Sequence, residues 1–238
     1  MSFKIALNAG HYIGTAGKRC MKSLDPNETR EWWLNDRICD KVESMLADYE
    51  GHELLRIDDT TGAKNFELKE RTDKANKWGA DVYISVHHNA GAKGTKAGGI
   101  VVYTYTQVDA ETAAWQTELY NALIQKTGLR GNRSQPLGKA NFHECRETKM
   151  PAILLELGFM DSAIDTPVIL TEEYATQCAE AIVEVLVKRG NLAKKQAKQK
   201  IYRVQVGAYS VKENAERMLE KVKSAGFTDA FISTLERE

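Results

Sequence analysis

Along residues 1–187, short apolar runs alternate with stretches in which apolar residues recur every three or four positions. The short runs fall at residues 3–8, 53–57, 82–87, 100–105 and 152–156, most of them bounded by Gly, Asp or Asn, and each is expected to be a strand. The helical stripes between them are Leu34, Ile38, Val42 and Met45, then Trp115, Leu119 and Leu123, then Tyr174, Cys178, Ile182 and Val185. Asp25-Pro26-Asn27-Glu28 has the order of a helix start, with an acceptor at the cap, proline at the first helical position and glutamate at the third. Asp109 and Thr171 open the later helices, and Gly128 and Gly190 close them.

Strands alternating with helices predict an α/β fold, a mostly parallel twisted sheet with helices on both faces in three layers. Ligand sites in such sheets gather beyond the carboxyl ends of the strands. The pattern changes at Lys188. Residues 188–200 carry six basic residues and no acidic one, and are expected to form a linker. Residues 201–238 then read as a small β-α-β unit, with strands at 201–207 and 227–235 around a helix at 212–225.

Length and composition fit this division. A chain of 238 residues, 42% hydrophobic, accommodates one large domain and a small appendage. Its formal net charge of zero conceals 12 basic against 6 acidic residues in 188–238, which leaves 21 against 27 in residues 1–187. No apolar segment approaches the roughly 18 residues of a membrane span. The N-terminus runs directly into a strand pattern, and no secretory leader is expected in it. The four cysteines (Cys20, Cys39, Cys145, Cys178) lack C-x-x-C spacing and read as reduced thiols made in the cytoplasm.

Three expected strands end in chemistry. Residues 3–8 lead to Gly10-His11, residues 82–86 to His87-His88-Asn89, and residues 152–155 to Glu156. Two histidine positions and a glutamate at one sheet edge point to a metal site, because neutral imidazole is the commonest zinc ligand. Strand alternation sends His87 and His88 to opposite faces, so either could belong to the site. Glu31 continues the apolar stripe of the first helix, where a buried carboxylate needs a cation, a partner or a proton. Two other motifs fail: Gly10 to Arg19 lacks the glycine and hydroxyl of a phosphate loop, and there is no H-E-x-x-H.

The segments I-A-L-N-A-G-H, E-W-W-L-N-D-R-I, R-T-D-K-A-N-K-W-G-A-D-V-Y-I-S-V-H-H-N-A and K-M-P-A-I-L-L-E-L-G-F-M-D occur in that order. Together they resemble the zinc-dependent N-acetylmuramoyl-L-alanine amidases of the Amidase_3 type, found in bacterial autolysins, sporulation hydrolases and phage endolysins. The resemblance spans residues 3–187. It implies one zinc ion held by His11, Glu31 and His87, with Glu156 as the catalytic glutamate. His88 stands where that family more often has a small residue, and Asn8 where it has an acidic one. The tail from Ile201 is similar to the first half of a SPOR (sporulation-related repeat) domain, which binds peptidoglycan glycan strands. The implied partner is peptidoglycan rather than nucleic acid or a membrane, and two tails are expected to pair in a homodimer that completes one module. The implied reaction is hydrolysis of the amide between N-acetylmuramic acid and L-alanine, at the cell wall after release or export. The alternatives are a non-catalytic wall-binding protein on an amidase scaffold and a zinc peptidase acting within stem peptides.

Overall fold

The computed structural model describes residues 2–196 and 202–235, which pack as two units divided after Lys195. In chain order the first unit holds β1 (Phe3–Ala9), α1 (Glu31–Leu46), β2 (Tyr49–Glu50), β3 (His52–Arg56), α2 (Leu68–Trp78), β4 (Val82–Asn89), β5 (Ile100–Thr104) and α3 (Ala110–Thr127). It continues with β6 (Leu137–Lys139), α4 (His143–Arg146), β7 (Ala152–Phe159), α5 (Asp165–Ile169), α6 (Glu172–Gly190) and β8 (Ala193–Lys194). The second unit contains α7 (Lys212–Ser224).

Six strands form one sheet in the order β3-β1-β4-β7-β5-β6, parallel except where β5 runs against β7. Alternation along the strands separates two cores. Ile5, Leu7, Val82, Ile84 and Val86 face α1, α3 and α6 in the larger core, whereas Ala6 and Tyr83 meet Ala75 of α2 in a smaller one. The three-layer α/β fold is therefore present. The chain leaves β1 for β3 on one side and later places β4 on the other, so the strand order reverses at β1 and β4. Such a switch point opens a crevice at the carboxyl ends of the two strands.

The five expected strands all form, and β2, β6 and β8 are added to them; these are too short to carry a period. The first helix starts later than expected. Asp25 does accept backbone N–H groups, but from Asn27 and Thr29 in a local turn, and Glu28 sits in the left-handed region at φ 48°. That geometry ends the turn, and α1 begins at Glu31 after Arg30. Glu28 instead pairs with Arg19 at 3.2 Å and does not cap a helix. Asp109 and Thr171 cap α3 and α6 through their side chains. Helix α6 runs through Gly190 and ends on Asn191 in the left-handed conformation. β8 then pairs with β2, so the basic stretch is ordered beyond residue 188; residues 197–200 of the expected linker lie outside the described residues.

In the second unit the helix forms as α7, but the described parts of its two flanking segments make no strand ladder. Tyr202, Val204, Val206, Phe231 and Leu235 remain exposed there, so among the described residues the two flanking segments bury no apolar face of the kind a strand pair needs.

Candidate metal centre

Glu31 is the first residue of α1 and is completely buried. Its Oε1 lies 3.3 Å from Nε2 of His11, 3.2 Å from Nδ1 of His87 and 3.2 Å from the backbone nitrogen of His88. The ligand atoms of His11, Glu31 and His87 all fall within 4.8 Å of one another. The two imidazoles meet edge to face at 87°, with centroids 5.0 Å apart, so their nitrogens converge without the rings colliding. Oε2 of Glu31 has no hydrogen-bond partner, and the nearest cation to it is Lys18, at 3.6 Å. Two imidazole nitrogens and a buried, half-satisfied carboxylate at one point suit a zinc ion.

The backbone around these ligands is tightly determined. A Cβ on Gly10 would overlap the His87 ring, so that position needs glycine. His11 follows at φ 68°, a strained conformation for a residue other than glycine. Arg71 of α2 holds the turn from outside, donating to Asn8 Oδ1 (2.6 Å), the Ala9 carbonyl (3.1 Å) and the His11 carbonyl (2.9 Å). Asp58 accepts the Ala9 N–H at 3.0 Å.

Glu156 pairs with His87 across the β4–β7 ladder, and the next registered pair is Asn89 with Phe159. One extra residue therefore bulges out of β7, with Gly158 at φ 97°. Oε2 of Glu156 is buried without a hydrogen-bond partner. Burial pushes this carboxyl up to about 7, with His87 working against the rise and Glu31 adding to it. The four site residues read from the sequence thus come together at one end of the sheet.

The histidine pair divides across the sheet. His88 is buried on the α1 side, where its Nδ1 lies 2.8 Å from Oδ1 of Asn35. The Asn35 amide in turn donates to the Gly10 carbonyl at 3.1 Å. Burial lowers the His88 imidazole to about 3, so it is neutral at ordinary pH. Its Nε2 has no partner. The His88 side chain supports the turn before His11 through Asn35, and only its backbone N–H reaches the cluster, donating to Glu31 Oε1 at 3.2 Å.

Behind His87 lies a group that sequence reasoning missed. Glu144, buried in the four-residue helix α4, accepts from the Tyr83 hydroxyl (2.5 Å) and from Asn8 Nδ2 (2.9 Å). Its Oε2 is 3.7 Å from His87 Nε2. Burial alone would depress the charge on His87, but the neighbouring carboxylates of Glu144 and Glu31 outweigh it and raise the imidazole to about 10. Glu31 shows the converse: burial opposes its charge, and the bonds to His11 and His87 hold it well below the usual carboxylate range. Tyr83 and Ser85 share a strand face with His87, which was a usable signal. Glu144 sits in too short a helix to leave a pattern.

Comparison with known proteins agrees with this architecture. The N-acetylmuramoyl-L-alanine amidase family model matches residues 5–188, and the SPOR domain model matches residues 179–236. A sporulation-specific N-acetylmuramoyl-L-alanine amidase of Bacillus subtilis is 36% identical over 94% of this chain and 82% of its own length. The amidase CwlM of Bacillus licheniformis is 32% identical over 79% of this chain and 70% of its own. Among solved structures, an N-acetylmuramoyl-L-alanine amidase from Clostridium difficile 630 superposes with a TM-score of 0.71 at 25% identity, covering 80% of this chain and 97% of that one.

Proposed function

The chain belongs to the N-acetylmuramoyl-L-alanine amidase family and acts on peptidoglycan, and from that premise we propose that its activity depends on one zinc ion held by His11, Glu31 and His87. The observation that carries this reading is the meeting of those three donors around a buried carboxylate oxygen that no protein group satisfies. A bound zinc ion would supply Lewis acidity, acidifying a water molecule and polarising the amide carbonyl.

Glu156 is the proton carrier in this proposal. It stands beside His87, has an oxygen free of protein partners, and is poised near neutrality by burial. A carboxylate at that poise accepts a proton from the attacking water and returns it to the departing alanine nitrogen. Glu144 is held by three donors on the far side of His87, so it stays out of the reaction. The segment matched by the SPOR domain model would add contact with the glycan strands of the wall.

The test is mass spectrometry of purified peptidoglycan digested with and without a chelator. New N-terminal alanine on intact stem peptides, lost on chelation and restored by zinc, supports the proposal. Cleavage within stem peptides would favour a peptidase, and chelator-resistant cleavage at alanine would remove the metal from the mechanism.

A further inference from the structure

We propose that Glu144 is a positioning residue for His87: acting through the Ser85 hydroxyl, it fixes the imidazole proton on Nε2 and leaves Nδ1 to face the metal. The inference rests on the metal reading above and concerns residues that this reading leaves idle.

The directions of the hydrogen bonds behind His87, on the Nε2 side, follow from the groups at their ends. Arg71 can only donate, and it donates to Asn8 Oδ1 at 2.6 Å. Asn8 therefore turns its amide nitrogen inward, with one N–H to Ser85 Oγ at 2.8 Å and the other to Glu144 Oε1 at 2.9 Å. An ionised carboxylate can only accept. Glu144 already takes the Tyr83 hydroxyl on Oε1 at 2.5 Å, and its Oε2 lies 3.4 Å from Ser85 Oγ. The single Ser85 proton goes to that carboxylate, since Glu144 has none to give in return.

Ser85 Oγ then has one lone pair left, and it faces His87 Nε2 at 3.0 Å. It can only accept there, so Nε2 carries the proton. Nδ1 is the nitrogen 3.2 Å from Glu31 Oε1, on the side of His11. Arg71 and Glu144, the two charged ends of the cluster, thus select the ring nitrogen that is offered to the ion. Partners of this kind on the far nitrogen of a ligating histidine set both its tautomer and its orientation.

The bland alternative is a buried carboxylate that merely ties α4 to the sheet. Glu144→Gln separates the two. Its amide oxygen still accepts from Tyr83 and Asn8, but its NH2 group turns toward Ser85. Ser85 must then accept from the glutamine, and its own proton becomes free to point at His87 Nε2. That favours a proton on Nδ1, directly against the ion.

The experiment titrates zinc into the metal-free full-length protein and Glu144→Gln, in competition with a chromophoric chelator, and records thermal melting of both without metal. The expected result is a melting midpoint close to the parent's and zinc affinity weakened by roughly 10–100-fold. Parent-like zinc affinity in a folded Glu144→Gln protein would overturn the positioning role and leave the metal reading intact. A parent that binds no zinc would overturn the metal reading and this role with it. Nitrogen NMR of the zinc-loaded parent needs no variant: a proton on Nε2 of His87 supports the assignment, and a proton on Nδ1 refutes it.

Discussion

Asn8 Nδ2 donates to Oε1 of the buried Glu144 at 2.9 Å, joining the end of the first strand to a helix more than a hundred residues later. An aspartate at position 8 would set a second carboxylate against Glu144 and take both donors from the cluster. Asn8→Asp is expected to cost about 1–3 kcal/mol of stability, the scale for an unsatisfied buried group. Combining it with Glu144→Gln should recover part of that loss, because the glutamine NH2 can donate to the new carboxylate. Denaturant unfolding of the two single variants and the double variant measures the coupling. Simple additivity of the two single-variant effects would show that the residues do not act as a pair.

Glu156→Gln should bind zinc as the parent does, yet lose activity on purified cell walls by about 10²–10⁴-fold, the range for a general acid–base group. Oε2 of Glu156 has no hydrogen-bond partner, so the substitution breaks no bond at that oxygen. Metal analysis and wall-clearing assays on the same preparation check both halves of the expectation.

The adjacent histidines should behave differently. His87→Ala removes a donor from the cluster, so metal and activity are expected to disappear together. His88→Ala leaves all three donors and strands the Asn35 carbonyl oxygen. It should lower stability by about 1–3 kcal/mol while the folded protein still takes up one zinc ion. Loss of zinc stoichiometry in folded His88→Ala would contradict the division drawn between the two.

Metal-free protein should become less stable as pH rises. His87 is raised from 6.5 to about 10 by Glu144 and Glu31 acting against burial, so its stabilising charge is complete below 6.5 and lost by about 10. Glu156, raised from 4.5 to about 7 by burial, acts in the same direction over its own lower window. Glu31 is depressed, so its contribution is lost only in acid. A cation at the site favours neutral imidazole and ionised carboxylate, so the gap in melting temperature between zinc-loaded and metal-free protein should widen from pH 6 to pH 9. A gap that narrows over that range would contradict the assignment.

The sheet could be read in advance because its five long strands each carry an apolar run, and the site because three of those strands end in histidine or glutamate. Glu31 was legible as a charge on an apolar stripe. The start of α1 was misread because Asp25 and Pro26 suit a tight turn as well as a helix cap, and only the left-handed Glu28 distinguishes them. Glu144 left no trace because its partners, Asn8, Tyr83 and Ser85, lie at least 59 positions away in the chain. The strands expected in the tail depended on alternation alone. Alternation describes which faces a strand would have, but does not supply the neighbour that completes it.

The chain order of the site has one more consequence. His11, Glu31 and His87 all come from the first 87 residues, while Glu144 and Glu156 arrive from α4 and β7. A chain severed before residue 143 keeps the three proposed metal donors but lacks Glu144 and Glu156, to which we assign positioning and proton transfer. Such a chain also lacks β7, which lies between β4 and β5 in the sheet, and α6, which packs in the larger core, so the three donors have no complete sheet to hold them together. The order of the residues in the chain therefore makes the donor cluster depend on elements that are translated after it.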